Sequence, residues 1–80
     1  MEYIGHEEIS YCTVFNLKLS QDEIEVYESC MSHVLKSCSE DEIYNLTGCK
    51  FDELQAWQST LREVLLKYVD ENNLPEKYKK

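Results

Sequence analysis

The sequence predicts an α+β fold, mostly α, in which a short N-terminal β-hairpin or single strand packs on three helices. Three observations carry this reading. Apolar and polar residues alternate from Ile9 to Leu19, two tetrads (Ser20-Gln21-Asp22-Glu23 and Ser39-Glu40-Asp41-Glu42) have the form of helix starts, and apolar residues recur at helical spacing from Phe51 to Tyr68.

In the first of these stretches Ile9, Tyr11, Thr13, Phe15, Leu17 and Leu19 occupy alternate positions, so they predict a strand that buries one face. Ahead of it Glu2-Tyr3-Ile4 is a short strand candidate, and Gly5-His6-Glu7-Glu8 reads as the connecting loop. A first strand that short leaves the backbone of Thr13 to Lys18 without a partner in the hairpin. An uncovered strand edge is a template for a further strand. Lys18 is a typical edge-protecting residue, whereas Val14 lies on the otherwise polar face and suits contact. The partner-binding candidates are therefore Thr13, Val14, Asn16 and Lys18 on that edge, with Tyr11 and Tyr3 beside it, because tyrosine joins a large apolar body to a polar tip.

The Ser20 tetrad is a capping box that starts a helix at Gln21. Ile24, Tyr27, Met31, Val34, Leu35 and Cys38 give it an apolar stripe, with Glu25, Glu28, Ser32 and Lys36 opposite. The Ser39 tetrad starts a second, shorter helix through Ile43 and Leu46, which Gly48 stops by adopting a left-handed cap. Phe51, Leu54, Trp57, Leu61, Val64, Leu65 and Tyr68 mark a third helix, with Trp57 and Leu61 expected in the core. Pro75 lies beyond its end.

With 80 residues this is one domain, compact from Met1 to Asn72 and followed by a short basic tail, Asn73 to Lys80, expected to fray. The body carries 15 acidic against 5 basic side chains, whereas the tail carries one acid and three lysines. So acidic a body repels phosphate backbones, which argues against direct nucleic-acid binding. It weighs equally against small anionic ligands, since Arg62 is the only arginine. No apolar run approaches the length of a membrane span, and the Met1-Glu2 start lacks the basic-then-apolar layout of a signal peptide, so a cytoplasmic location is expected.

Catalytic and metal chemistry find little support. Cys12, Cys30, Cys38 and Cys49 contain no CxxC pair and are expected to be reduced and metal-free, with Cys30 and Cys38 as small core residues. The carboxylates of Asp22-Glu23, Glu40-Asp41-Glu42 and Asp52-Glu53 all sit in first helical turns, where the helix dipole accounts for them. His6-Glu7-Glu8 lacks the second histidine of a zinc-protease helix, and two glycines cannot build a phosphate loop. No catalytic residue, metal ligand or cofactor is assigned.

The function this leaves is a non-enzymatic, small acidic protein-binding module: an inhibitor or adaptor of a larger protein with a basic surface. Phage-type anti-defence proteins and the immunity proteins of toxin systems share this compositional profile, an analogy of class alone. A chain this short buries a small core and gains from association, so a homodimer formed through the strand edge is also expected. A protein that sequesters a small molecule at a homo-oligomer interface is the alternative.

Overall fold

The computed structural model, which describes residues 1–79, has the predicted α+β, mostly α architecture. An antiparallel hairpin of β1 (Glu2–Ile9) and β2 (Cys12–Lys18) precedes α1 (Gln21–Ser37), α2 (Glu40–Thr47) and α3 (Phe51–Tyr68), and single 3₁₀ turns follow at Glu71–Asn73 and Glu76–Tyr78. No helix is long and apolar enough to cross a membrane.

The hairpin turns later than its glycine suggests. Ile9 pairs with Cys12, so the connection is Ser10-Tyr11, with both residues left-handed at φ 51° and 67°. Two consecutive positive φ values are what a two-residue turn needs to match the twist of its strands, although asparagine and glycine are the usual occupants. Gly5 instead lies inside β1, beside a register shift between Tyr3 and Gly5. The segment Gly5 to Glu8, expected as a loop, is therefore strand. With β1 this long, β2 is paired from Cys12 (to Ile9) through Lys18 (to Glu2), so the expectation that Thr13 to Lys18 lack a hairpin partner is wrong. The outer edge of β2 stays open, because each strand of a two-stranded sheet has only one neighbour.

Each helix starts where its cap dictates. Ser20 Oγ accepts from the Glu23 amide at 3.3 Å while Glu23 Oε1 accepts from the Ser20 amide at 3.1 Å. Ser39 and Glu42 repeat the exchange at 3.2 and 3.1 Å. Gly48 ends α2 at φ 75°. At α3 only half the device is present: Glu53 Oε1 accepts from the Lys50 amide at 3.1 Å, and Lys50 offers no capping oxygen.

The core divides into two clusters. Ile43, Cys49 and Leu54 are buried against Met31, Val34, Leu35, Cys38 and Phe51, whereas Leu65, Leu74 and Tyr78 are buried against Ile24 and Val69. The C-terminal half of α1 thus meets the N-terminal half of α3, and the two helices run antiparallel. Leu74 and Tyr78 lie in the segment expected to fray; instead they close the second cluster. Trp57, expected in the core, is 52% exposed, Leu61 is only half-buried, and Cys30 is exposed.

Candidate functional site

Between the two apolar clusters lies a polar layer centred on Glu28, which is 3% exposed. Its Oε1 accepts from the Tyr78 hydroxyl at 2.6 Å and its Oε2 from Gln58 Nε2 at 2.8 Å, and Arg62 Nη1 stands 3.8 Å from Oε1. Burial pushes the Glu28 carboxyl up, but the hydrogen bonds from Tyr78 and Gln58, together with the charges of Arg62 and Lys77, outweigh it and hold the group below its ordinary value. The Tyr78 hydroxyl is pushed up, by burial first and by its carboxylate partner second.

Glu28, expected on the solvent side of α1, faces inward instead. Ile24, Glu28, Met31, Leu35 and Cys38 follow steps of four and three, as do Phe51, Leu54, Gln58, Leu61 and Leu65. Those inward stripes each carry one polar residue at the same level. Tyr27 and Trp57 fit helical spacing equally well, and the choice falls to Glu28 and Gln58 because each satisfies the other.

Outward from this layer the surface opens into a cavity of about 400 Å³ lined by Glu28, Ser29, Ser32, His33, Lys36, Arg62 and Lys77. Arg62 and Lys77 both stand over the Tyr78 ring, each 5.2 Å from its centroid. The Lys77 ammonium donates to Ser29 Oγ.

The second candidate surface is the hairpin. Opposed residues of an antiparallel pair share a face. The pairings Tyr3 with Leu17 and His6 with Phe15 therefore put an aromatic and apolar patch on one side. The His6 ring lies 5.8 Å from both the Tyr3 and Phe15 rings, and Tyr3 Oη hydrogen-bonds His6 Nδ1. This face was expected to pack on the helices. It does not: Phe15 is 58% exposed, Tyr3, Ile4 and Leu17 are exposed as well, and neither strand packs substantially on any helix. The amino-terminal amine, 2.6 Å from Glu23 Oε1, ties the hairpin base to α1 and holds the Glu23 carboxyl below its ordinary value.

All six sequence-derived partner-binding residues fall on this hairpin and are exposed. Val14, Asn16 and Lys18 share the face opposite the aromatic patch, Thr13 and Tyr3 share the patch, and Tyr11 tops the turn. Phe15, Leu17 and His6 complete the patch and were missed, because period-two alternation says which residues share a face but not whether anything covers it. Among the described residues no three histidine, cysteine or acidic side chains gather closely enough to hold a metal ion. No protein-family model, curated protein or solved structure significantly matches the chain.

Proposed function

We propose that the chain is a non-enzymatic acidic binding module, an inhibitor or adaptor, that docks on a protein with a basic surface through its N-terminal hairpin. The observation that carries the reading is the uncovered patch of Tyr3, His6, Phe15 and Leu17 on a two-stranded sheet. A two-stranded hairpin is marginal in water and becomes stable when a third strand or another surface covers it. Tyrosine and phenylalanine on such a face are the side chains that anchor protein contacts.

Charge selects the occupant. Glu8, paired with Thr13, shares the face of the patch, Glu2 and Glu7 lie on the opposite face of β1, Lys18 is the one Lys or Arg of the two strands, and the chain as a whole carries −8. A basic partner is attracted over the range of the Debye length, whereas a second copy of the chain brings the same negative charge to the contact. Thr13, Val14, Asn16 and Lys18 line the open edge of β2, where a partner strand would add, and Tyr11 extends the contact at the turn.

The test is a photo-reactive amino acid in place of Phe15, introduced in cells that make the protein. The captured protein is identified, and its binding to the purified chain is measured at two salt concentrations. The reading predicts a basic-surfaced partner, weaker binding at higher salt, and loss of binding in Thr13→Pro, because the Thr13 amide belongs to the non-hydrogen-bonded pair with Glu8 and faces the open edge. Cross-links only to a second copy would make the hairpin a homodimer interface and contradict the proposal, as would binding that Thr13→Pro and a Phe15→Glu variant both retain.

A further inference from the structure

We propose that the cavity between α1, α3 and the 3₁₀ turn Glu76–Tyr78 is a binding site for a small phosphate-bearing anion, with Lys36, Arg62 and Lys77 as its charged ligands. The chain has twice as many acidic as basic side chains, 16 against 8, yet three of those eight line this one cavity, where Glu28 is the only carboxylate among the described residues. The count that makes anion binding improbable for the whole molecule is inverted locally.

Glu28 does not use up that positive charge. Its two oxygens are occupied by the neutral donors Tyr78 and Gln58 at 2.6 and 2.8 Å, and Arg62 touches it only through Nη1 at 3.8 Å. Arg62 lines the cavity, and its guanidinium carries five N–H donors. Lys77 rests on the hydroxyl of Ser29, a neutral partner, and among the described residues neither Lys36 nor Lys77 forms an ion pair. Glu28 and the Tyr78 ring hold Arg62 in place, and the Tyr78 ring and Ser29 hold Lys77, so less side-chain freedom is lost when an anion arrives. Ser32 adds a hydroxyl donor on the α1 wall.

The spacing favours a multiply charged oxyanion over a monocarboxylate. Ser29 and Lys36 are seven residues apart on α1, about 10 Å along the axis, a reach along the cavity wall that suits two linked phosphoryl groups. A phosphate or diphosphate presents oxygens in several directions and suits an arginine fork with separate ammonium groups. The site lies on the helical body and does not depend on what the hairpin binds.

The test is a titration of the full chain with inorganic pyrophosphate at low ionic strength, followed by amide and arginine side-chain resonances in two-dimensional NMR. Saturable shifts are expected at Ser29, Ser32, His33, Lys77 and the Arg62 Nε–H, with no matching change at Lys18, Lys50 or Lys67. Lys36→Gln, which removes no hydrogen bond or ion pair among the described residues, should weaken binding about tenfold while leaving the melting temperature nearly unchanged. Arg62→Lys keeps the charge but loses the fork and should weaken it as well. Shifts that do not saturate, that spread equally over all the lysines, or that Lys36→Gln and Arg62→Lys both leave untouched would overturn the proposal. Equal affinity for acetate would overturn the assignment to phosphate.

Discussion

Tyr78 donates its hydroxyl hydrogen to Glu28 at 2.6 Å, joining residues fifty apart in sequence and fastening the turn Glu76–Tyr78 to the middle of α1. The contact explains why a segment rich in lysine packs at all: Leu74 and Tyr78 add apolar surface beside Leu65, and the hydroxyl relieves a carboxylate that would otherwise be buried without full hydrogen bonding. Removing it separates the two effects. Tyr78→Phe keeps the ring and is expected to destabilise the fold by about 1 to 3 kcal/mol, whereas Glu28→Ala, which strips partners from Tyr78, Gln58 and Arg62 together, should cost about 3 kcal/mol or more. Urea denaturation of both variants checks this, and unchanged midpoints would show that the polar layer contributes nothing.

The same layer sets a pH dependence. Glu28 has its folded-state value held below the ordinary 4.5, so its stabilisation is fully present above that value and is lost as pH falls through the folded-state value. Glu23 and Glu42, also lowered, by the amino-terminal amine and by the Ser39 amide respectively, act in the same direction. Stability should therefore decline below about pH 4.5, and Glu28→Gln should make that decline shallower. Thermal melts across pH 3 to 7 measure it; parallel wild-type and Glu28→Gln curves would rule out the assignment to Glu28.

Helix orientation is tested by two substitutions on α3. Leu65 is 1% exposed, and Leu65→Ala is expected to cost about 2 to 5 kcal/mol. Trp57→Ala, at a half-exposed position, should cost much less despite the larger side chain removed. A ranking the other way round would mean that α3 is rotated so that Trp57 faces α1.

The turn carries its own test. Ser10 and Tyr11 hold positive φ without the glycine that such backbone favours, a strain of about 1 kcal/mol or more per residue. Tyr11→Gly should therefore tighten the hairpin, seen as stronger cross-strand nuclear Overhauser contacts between Glu8 and Thr13, while removing the exposed ring from the tip. A partner that uses Tyr11 would bind this variant more weakly although its hairpin is better formed. Weaker cross-strand contacts would mean that the turn is not the one described.

Local signals were legible where one or two residues suffice to set the backbone. Ser20 with Glu23, Ser39 with Glu42, and Gly48 each mark a helix boundary that the structure reproduces. The turn at Ser10-Tyr11 was not legible, because neither residue advertises positive φ and the alternation of Ile9 to Leu19 runs straight through it. Nor was the choice between Trp57 and Gln58 as the inward residue, since both satisfy helical spacing and only the distant Glu28 decides between them. The basic cavity was invisible for a related reason: Lys36, Arg62 and Lys77 are scattered in sequence, and net charge says nothing of where three cations meet.

Hydrogen exchange of the backbone amides, read residue by residue in the isolated chain and again in its complex with the cross-linked partner, bears most directly on the claim that the hairpin is a docking element awaiting cover. The account predicts that amides of β1 and β2 exchange orders of magnitude faster than those around Leu54 and Leu65 in the isolated chain, and slow to comparable rates once the partner is bound. Hairpin amides already protected in a dilute monomer, or unchanged in the complex, would contradict it.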